Sequence, residues 1–320
     1  MEFIIKSEDS GITIKDFLRR EINPSRKLLN LTKNKPDGIL VNGERVTVRY
    51  ILKSGDILNF NYADYGVKDG GLDVPHPNAD LLDLVKIAYE DDSILCVNKP
   101  PNMPSHPSFN HLDDTLANAV AAYYLKHNII LKFHPVNRLD RNTSGLVLIA
   151  KDRLICPKLN ELIKRGEIKK SYIAIVIGDF NNINPIEILE YNPVSRTGSI
   201  KAPIKREQDS IIKRICAPDG DHAITEFKFI KSNGEISLLE VYPITGRTHQ
   251  IRVHFQAIGF SLLGDDLYYN NLTAALSDKY NISRHALHAA SLEFKHPVSQ
   301  DNIKIECAAP DDIQEILKIF

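Results

Sequence analysis

The sequence predicts an α+β fold: a mixed, mainly antiparallel sheet flanked by helices, preceded by a small αα-β module. Three observations point that way. Two short helical stripes near the start, at residues 12–20 and 26–33, are followed by brief strand-like runs. Further on, short apolar or alternating runs recur at 94–98, 145–151, 168–178, 223–231 and 236–242, separated by turn formers. Ala- and Leu-rich helical stretches, 115–128 and 159–165, lie among them.

The chain has 320 residues, room for one large domain and a small one. Hydrophobic residues make up 43% and charged residues 25%, ordinary for a soluble globular protein. No run approaches the ~18 apolar residues that span a bilayer. The opening MEFIIKSEDSG carries acids where an export signal needs an apolar core. A cytoplasmic protein without a membrane partner is expected. Cys96, Cys156, Cys216 and Cys307 are far apart and form no CxxC pair, which argues for reduced thiols and against a cysteine zinc site. His249 and His254 are five apart, and His285 and His288 three apart, without acidic residues in the usual ligand positions. Neither a phosphate-binding glycine loop nor a dinucleotide fingerprint occurs, so neither metal nor cofactor is expected.

Residues 1–62 read as a separate module. Ile14, Phe17 and Leu18 make the first stripe, and Pro24 and Ser25 restart the chain, with Ser25 placed to cap a helix from Arg26. Strands follow at 38–41, 45–48 and 57–60, with turns at Asn42-Gly43 and Gly55-Asp56. Residues 63–85 hold Gly70-Gly71, Pro75 and Pro77, lack periodicity and read as a linker. The larger domain, 86–320, then begins. Its strand at 94–98 leads into a proline-stiffened loop, 99–107, where Lys99 is read as structural support. Gly166 ends the helix at 159–165. Residues 180–220 read as irregular and basic, and Asn233-Gly234 as a hairpin turn.

The chain's central stretch is HPVNRLDRNTSGLVLIAKD, residues 134–152. Its second half is a buried strand by composition, and its first half is a polar loop feeding that strand. Arg138 and Asp140 are two apart, so in extended backbone they face the same side. An aspartate among cations stays ionised, which suits a nucleophile or a base. A plainer reading is that Asp140 only caps the turn Asp-Arg-Asn-Thr-Ser-Gly. Net charge is −1, but residues 134–172 carry nine Lys/Arg against four acids, and 195–214 six against two. A basic stripe beside a candidate site suits a polyanion; a solvated surface is the alternative.

RLDRNTSGLVLIAK resembles the signature of the RluA-type family of RNA pseudouridine synthases. ILCVNKPPNMPSHP, the K-x-Y-x-A-x-V-x-G pattern at 170–178 and TGRTHQIRVH at 245–254 resemble its other elements in order. The resemblance spans about residues 90–300. The front module, with SRKLL, ILVNGERV and SGDIL, is similar to the alpha-L RNA-binding module of a ribosomal protein. Asn137 stands where the family usually has His, and Ser261 where Pro is usual.

The resemblance implies an isomerase that turns uridine in structured RNA, ribosomal or transfer, into pseudouridine. It implies Asp140 as the catalytic residue, Arg252 as its ion-pair partner and Tyr172 packed on the target base. Arg138 would fill the space left by an everted base; Arg141, Arg247 and His249 would also meet the substrate, and Gln250 would orient the loop. Arg19, Arg20, Arg26, Lys27 and Lys33 would form the RNA-gripping face of the module, unless that helix merely docks on the larger domain. A monomer is expected. A binding-only relative and a glycosylase are the competing functions; a relic that only binds need not keep Asp140, Tyr172 and Arg252 together.

Overall fold

The fold comes from a computed structural model that describes residues 1–24, 26–62, 75–129, 131–184 and 186–320, the side chain of Lys27 excepted. The expected cap Ser25 and positions 63–74 of the expected linker lie outside the described residues, as does the Lys27 side chain.

The N-terminal unit contains β1 (Glu2–Ile4), α1 (Ile14–Glu21), α2 (Arg26–Lys33), β2 (Ile39–Val41), β3 (Glu44–Arg45) and β4 (Ile57–Phe60). Its four strands pair antiparallel in the order β1-β4-β2-β3. Thr13 starts α1: its hydroxyl accepts from the Asp16 amide at 3.2 Å and donates to the Asp16 carboxylate at 2.6 Å. The predicted stripe Ile14, Phe17 and Leu18 is buried against Leu52, Leu58 and Phe60. Asn42 (φ 52°) and Gly43 (φ 83°) are both left-handed, as the tight β2–β3 turn requires. The strand expected at 45–48 is shorter, because the chain turns where the Tyr50 amide donates to the Thr47 carbonyl.

This unit has its own apolar core, and Leu154 of the larger part inserts into it. Tyr62 donates to the Asp152 carboxylate at 2.5 Å beside that contact.

The larger part holds β5 (Lys86–Glu90), β6 (Ile94–Lys99), α3 (Leu116–Lys126), β7 (His134–Pro135), β8 (Ser144–Ala150), α4 (Ile155–Lys164) and β9 (Lys169–Ile177). It continues with β10 (Leu189–Asn192), β11 (Thr197–Lys201), β12 (Ile204–Arg206), β13 (Arg214–Cys216), β14 (Ile224–Ser232) and β15 (Ile236–Pro243). The last elements are α5 (Gln250–Ala257), α6 (Thr273–Lys279), β16 (Leu287–Lys295), β17 (Asn302–Glu306) and α7 (Asp311–Leu317). One sheet runs β10-β11-β14-β15-β9-β16-β8-β6-β5, with β17 on β16 and β7 on β8. Pairing is antiparallel except where β16 meets β8, at His288↔Ser144 and Ala289↔Gly145.

Strand β8 is buried at all seven positions, so its apolar run does not alternate. Gly145 has φ +117°, and a Cβ there would lie 2.2 Å from the Ala289 carbonyl oxygen. Only glycine lets the loop before β8 enter the sheet against β16 at that distance.

Residues 180–220 are not irregular, as expected above, but supply β10 to β13. These strands are three to five residues long and interrupted by Pro and Gly, so no period of two develops. The C-terminal part of the expected linker is docked: Asn118 donates its amide to the His76 carbonyl, and Leu81 and Val85 pack on the core. Helix α4 begins at Ile155, earlier than expected, through Cys156 and Pro157.

Candidate active site

A cleft of ≈ 900 Å³ opens between the loop before β8, the loop before α5 and residues 104–108. Arg138, Asp140, Arg141, Tyr172, Arg247, His249 and Arg252 all line it. Seven positions spread over more than a hundred residues of chain thus meet in one place. None of the described N-terminal cations lines it. Arg19, Arg26 and Lys33 are exposed, and Arg20 is engaged by Asp9 and Glu21.

The loop that carries Asp140 is held mainly through its backbone. Asn137 uses its amide as a strand would: Nδ2 donates to the Leu146 carbonyl (3.1 Å) and Oδ1 accepts from the Leu148 amide (2.8 Å). Ser105 donates its hydroxyl to the Leu139 carbonyl at 2.8 Å. Lys99, fully buried, donates Nζ to the carbonyls of Pro100, Met103 and Arg141 at 2.8–3.1 Å. Burial lowers the pKa of its ammonium to about 7; the charge of Asp140 opposes that shift and Arg284 adds to it. The three acceptors match the three donors of the charged form. Thr143 meets His285 Nε2 at 2.8 Å, and Arg284 donates to the Asn142 carbonyl at 2.9 Å. With its backbone clamped at 139, 141 and 142, the loop leaves the Asp140 carboxylate free to face the cleft.

Asp140 is 27% exposed at its side chain. Arg252 Nη1 lies 3.6 Å from Oδ2, and His249 Nε2 4.0 Å from Oδ1. The tight partner of Arg252 is another acid. Its Nε and Nη2 each donate to Asp265 at 2.7 Å, and Asp266 stands 3.4 Å away. Burial works against the Arg252 charge, but the bonds to Asp265 outweigh it and Asp140 helps, so its pKa is raised. The Tyr268 ring lies under the guanidinium, 5.0 Å from its centroid.

His249 sits at φ 58°, unusual for a residue with a side chain, just ahead of α5. Its Nδ1 is 2.9 Å from the Tyr268 hydroxyl. Burial lowers its pKa and the charge of Asp140 opposes that shift. Gln250 ties the preceding loop together: Oε1 accepts from the Thr245 hydroxyl and the Arg247 amide, while Nε2 donates to the Ile224 carbonyl. Arg247 donates to the His222 carbonyl at 3.0 Å and stays exposed.

Tyr172 is 8% exposed and offers its ring to the cleft. Burial, then the charge of Asp140, push its phenol far above the ordinary range. A phenol held protonated is a stacking surface and a donor, and a poor base.

Two contributors escaped sequence reasoning. Asp265 sits thirteen residues from Arg252, and no local pattern ties the two. Arg284 carried no local signal. Asp265, Asp266 and His285 come within 4.8 Å of one another, but Arg252 already takes both oxygens of Asp265, so this set does not suit a cation.

Comparison with known proteins points to one family. Residues 93–257 match the family model described as RNA pseudouridylate synthase, and residues 1–58 the RluD ribosomal pseudouridine synthase N-terminal domain. The chain is 34% identical over 307 residues to YjbO of Bacillus subtilis, an uncharacterized RNA pseudouridine synthase, covering 96% of this chain and 99% of that protein. It is 29% identical to the ribosomal large subunit pseudouridine synthase C of Vibrio cholerae, over 99% of this chain and 96% of that protein. Among solved structures, human RNA pseudouridylate synthase domain containing 4 shares the fold. Its TM-score is 0.56 at 22% identity, covering 75% of this chain and 94% of that one. Among the described residues no helix is long and apolar enough to cross a membrane.

Proposed function

This chain belongs to the RNA pseudouridylate synthase family, isomerases acting on RNA, and from that premise we propose that Asp140 is the carboxylate that reacts. The substrate is a specific uridine in folded ribosomal or transfer RNA. The observation that carries the reading is the setting of Asp140. It is a cleft carboxylate on a clamped loop, with Arg252 on one side and a buried phenol ring nearby.

The reaction exchanges bonds without redox change. The bond from N1 to C1′ breaks, C5 bonds to C1′, the C5 proton leaves and N1 ends protonated. Asp140 serves by attacking C1′ or by taking a proton from the ribose; both routes need an ionised carboxylate at the sugar. Arg252, itself neutralised by Asp265, holds that carboxylate without quenching it. The target base must first leave its stack, at a cost of a few kcal/mol. Arg138, exposed at the cleft rim, takes the vacated place, where a planar guanidinium stacks well. Tyr172 stacks on the everted uracil. Arg141, Arg247 and His249 line its path.

Residues 1–62 act as an RNA-gripping module whose hold weakens with salt. The catalytic unit covers 86–320, joined by the docked stretch before it, and the protein works as a cytoplasmic monomer. The test is pseudouridine mapping of RNA from cells lacking the protein, incubated with wild type or Asp140→Asn. Wild type forms the product. The variant is expected to lose at least ~10³-fold in rate while binding RNA within about threefold of wild type. Retained turnover in Asp140→Asn overturns the assignment, and release of free uracil by wild type identifies a glycosylase instead.

A further inference from the structure

The geometry points to Lys170 as a further substrate contact, its ammonium set to bind a backbone phosphate of the RNA next to the everted uridine. Lys170 stands on β9 two residues before Tyr172, so both side chains leave the same face of the strand. Both line the cleft. Their surroundings differ. The charge of Asp140 acts on Tyr172, on Lys99 and on His249, but burial alone acts on Lys170 and lowers its pKa.

The other cleft cations are accounted for. Arg252 is tied to Asp265 and faces Asp140, Arg247 donates to a carbonyl, and Arg138 and Arg141 stand exposed to water. Lys170 is half-buried, and among the described residues it has neither a carboxylate partner nor a hydrogen-bond acceptor. Cys156 and Ile163 of α4 also line the cleft and offer no counter-charge.

A half-buried ammonium without a partner costs free energy in the free protein, and an arriving anion removes that cost. RNA brings one phosphate with every nucleotide. The uracil carbonyls are the competing acceptors. With the sugar over Asp140 and the base over Tyr172, an ammonium two residues back along β9 from the platform of the base meets the backbone that runs past it. The inference rests on reading this cleft as the uridine site.

The test uses the full chain and total RNA from cells lacking the protein. Lys170→Met keeps the apolar stem. It is expected to raise KM about tenfold, with a smaller change in kcat, and to flatten the slope of log affinity against log salt by about one. Lys170→Arg restores KM to within about threefold. An unchanged salt slope overturns the proposal. So does a loss confined to kcat, which would put the ammonium on the base. So does a lowered melting temperature without rescue by Arg, which would make the residue structural. If wild type forms no pseudouridine in this RNA, the reading of the cleft fails, while the binding slope still scores Lys170.

Discussion

Two buried arginines grip aspartates in the same two-bond way on either side of the Asp140 loop, and they differ in where the spare nitrogen points. Arg252 holds Asp265 through Nε and Nη2 and turns Nη1 toward the Asp140 carboxylate. Arg284 holds Asp312 through Nε and Nη2 and gives Nη1 to the carbonyl of Asn142. One pair therefore meets the reacting group, and the other meets the backbone that carries it. The acids differ too: the side chain of Asp265 is fully buried, while that of Asp312 is 32% exposed. The same fork thus serves as an electrostatic partner in one place and as a brace in the other.

The largest effect is expected from Arg252→Met. It leaves Asp265 buried and unpaired, costing about 3–5 kcal/mol of stability. It also removes the cation beside Asp140, so kcat should fall at least ~100-fold. Urea midpoints and single-turnover rates check both. If activity survives while stability drops, Arg252 is a brace like Arg284, and the contrast breaks.

Arg284→Met should cost less. Water can take over the exposed side of Asp312, so the loss is about 1–2 kcal/mol, and the loosened Asn142 carbonyl should lower kcat about tenfold with KM unchanged. A rise in KM alone would mean that Arg284 shapes the substrate path rather than the loop.

The last effect is confined to low pH and leaves the rate at neutral pH untouched. His254 lies on α5 with Arg252 and is fully buried, with Nδ1 2.9 Å from the Thr225 hydroxyl and Nε2 2.9 Å from the Ala202 carbonyl. Burial lowers its pKa to about 4, against the Ala202 contact, which raises it. The unfolded chain takes up this proton near 6.5 and the folded chain only near 4. Its contribution is thus complete above about 6.5 and is lost as pH falls toward 4. Between pH 7 and pH 5 the loss is about 2 kcal/mol. Urea midpoints at the two pH values should show this contribution in wild type and in Arg284→Met, and a slope smaller by about that amount in His254→Gln, where the other histidines lowered by burial still titrate in the same sense.

How much could be read from the chain depended on the distance between partners. Gly145 to Lys151, the Asn42-Gly43 turn and the β14–β15 hairpin announce themselves within a few residues, and each lies where expected. The seven cleft residues were legible because long motifs carry them. What was missed is non-local or weakly patterned. Arg284 reaches Asn142 across 142 positions, and no local period encodes such a pair. The strands β10 to β13 are too short and too broken by Pro and Gly to alternate. Asp265 is held by Arg252 thirteen positions away, a spacing that no local pattern ties together.

The Arg284–Asp312 brace also has a consequence for the order of synthesis. The Asn142 carbonyl is fastened by a residue translated far later, and that residue waits in turn for one on the last helix described. A nascent chain with Asp312 still inside the ribosome would hold the N-terminal unit but a slack loop. Until that helix has emerged and docked, the loop lacks its brace, and RNA modification would run about tenfold below the finished rate.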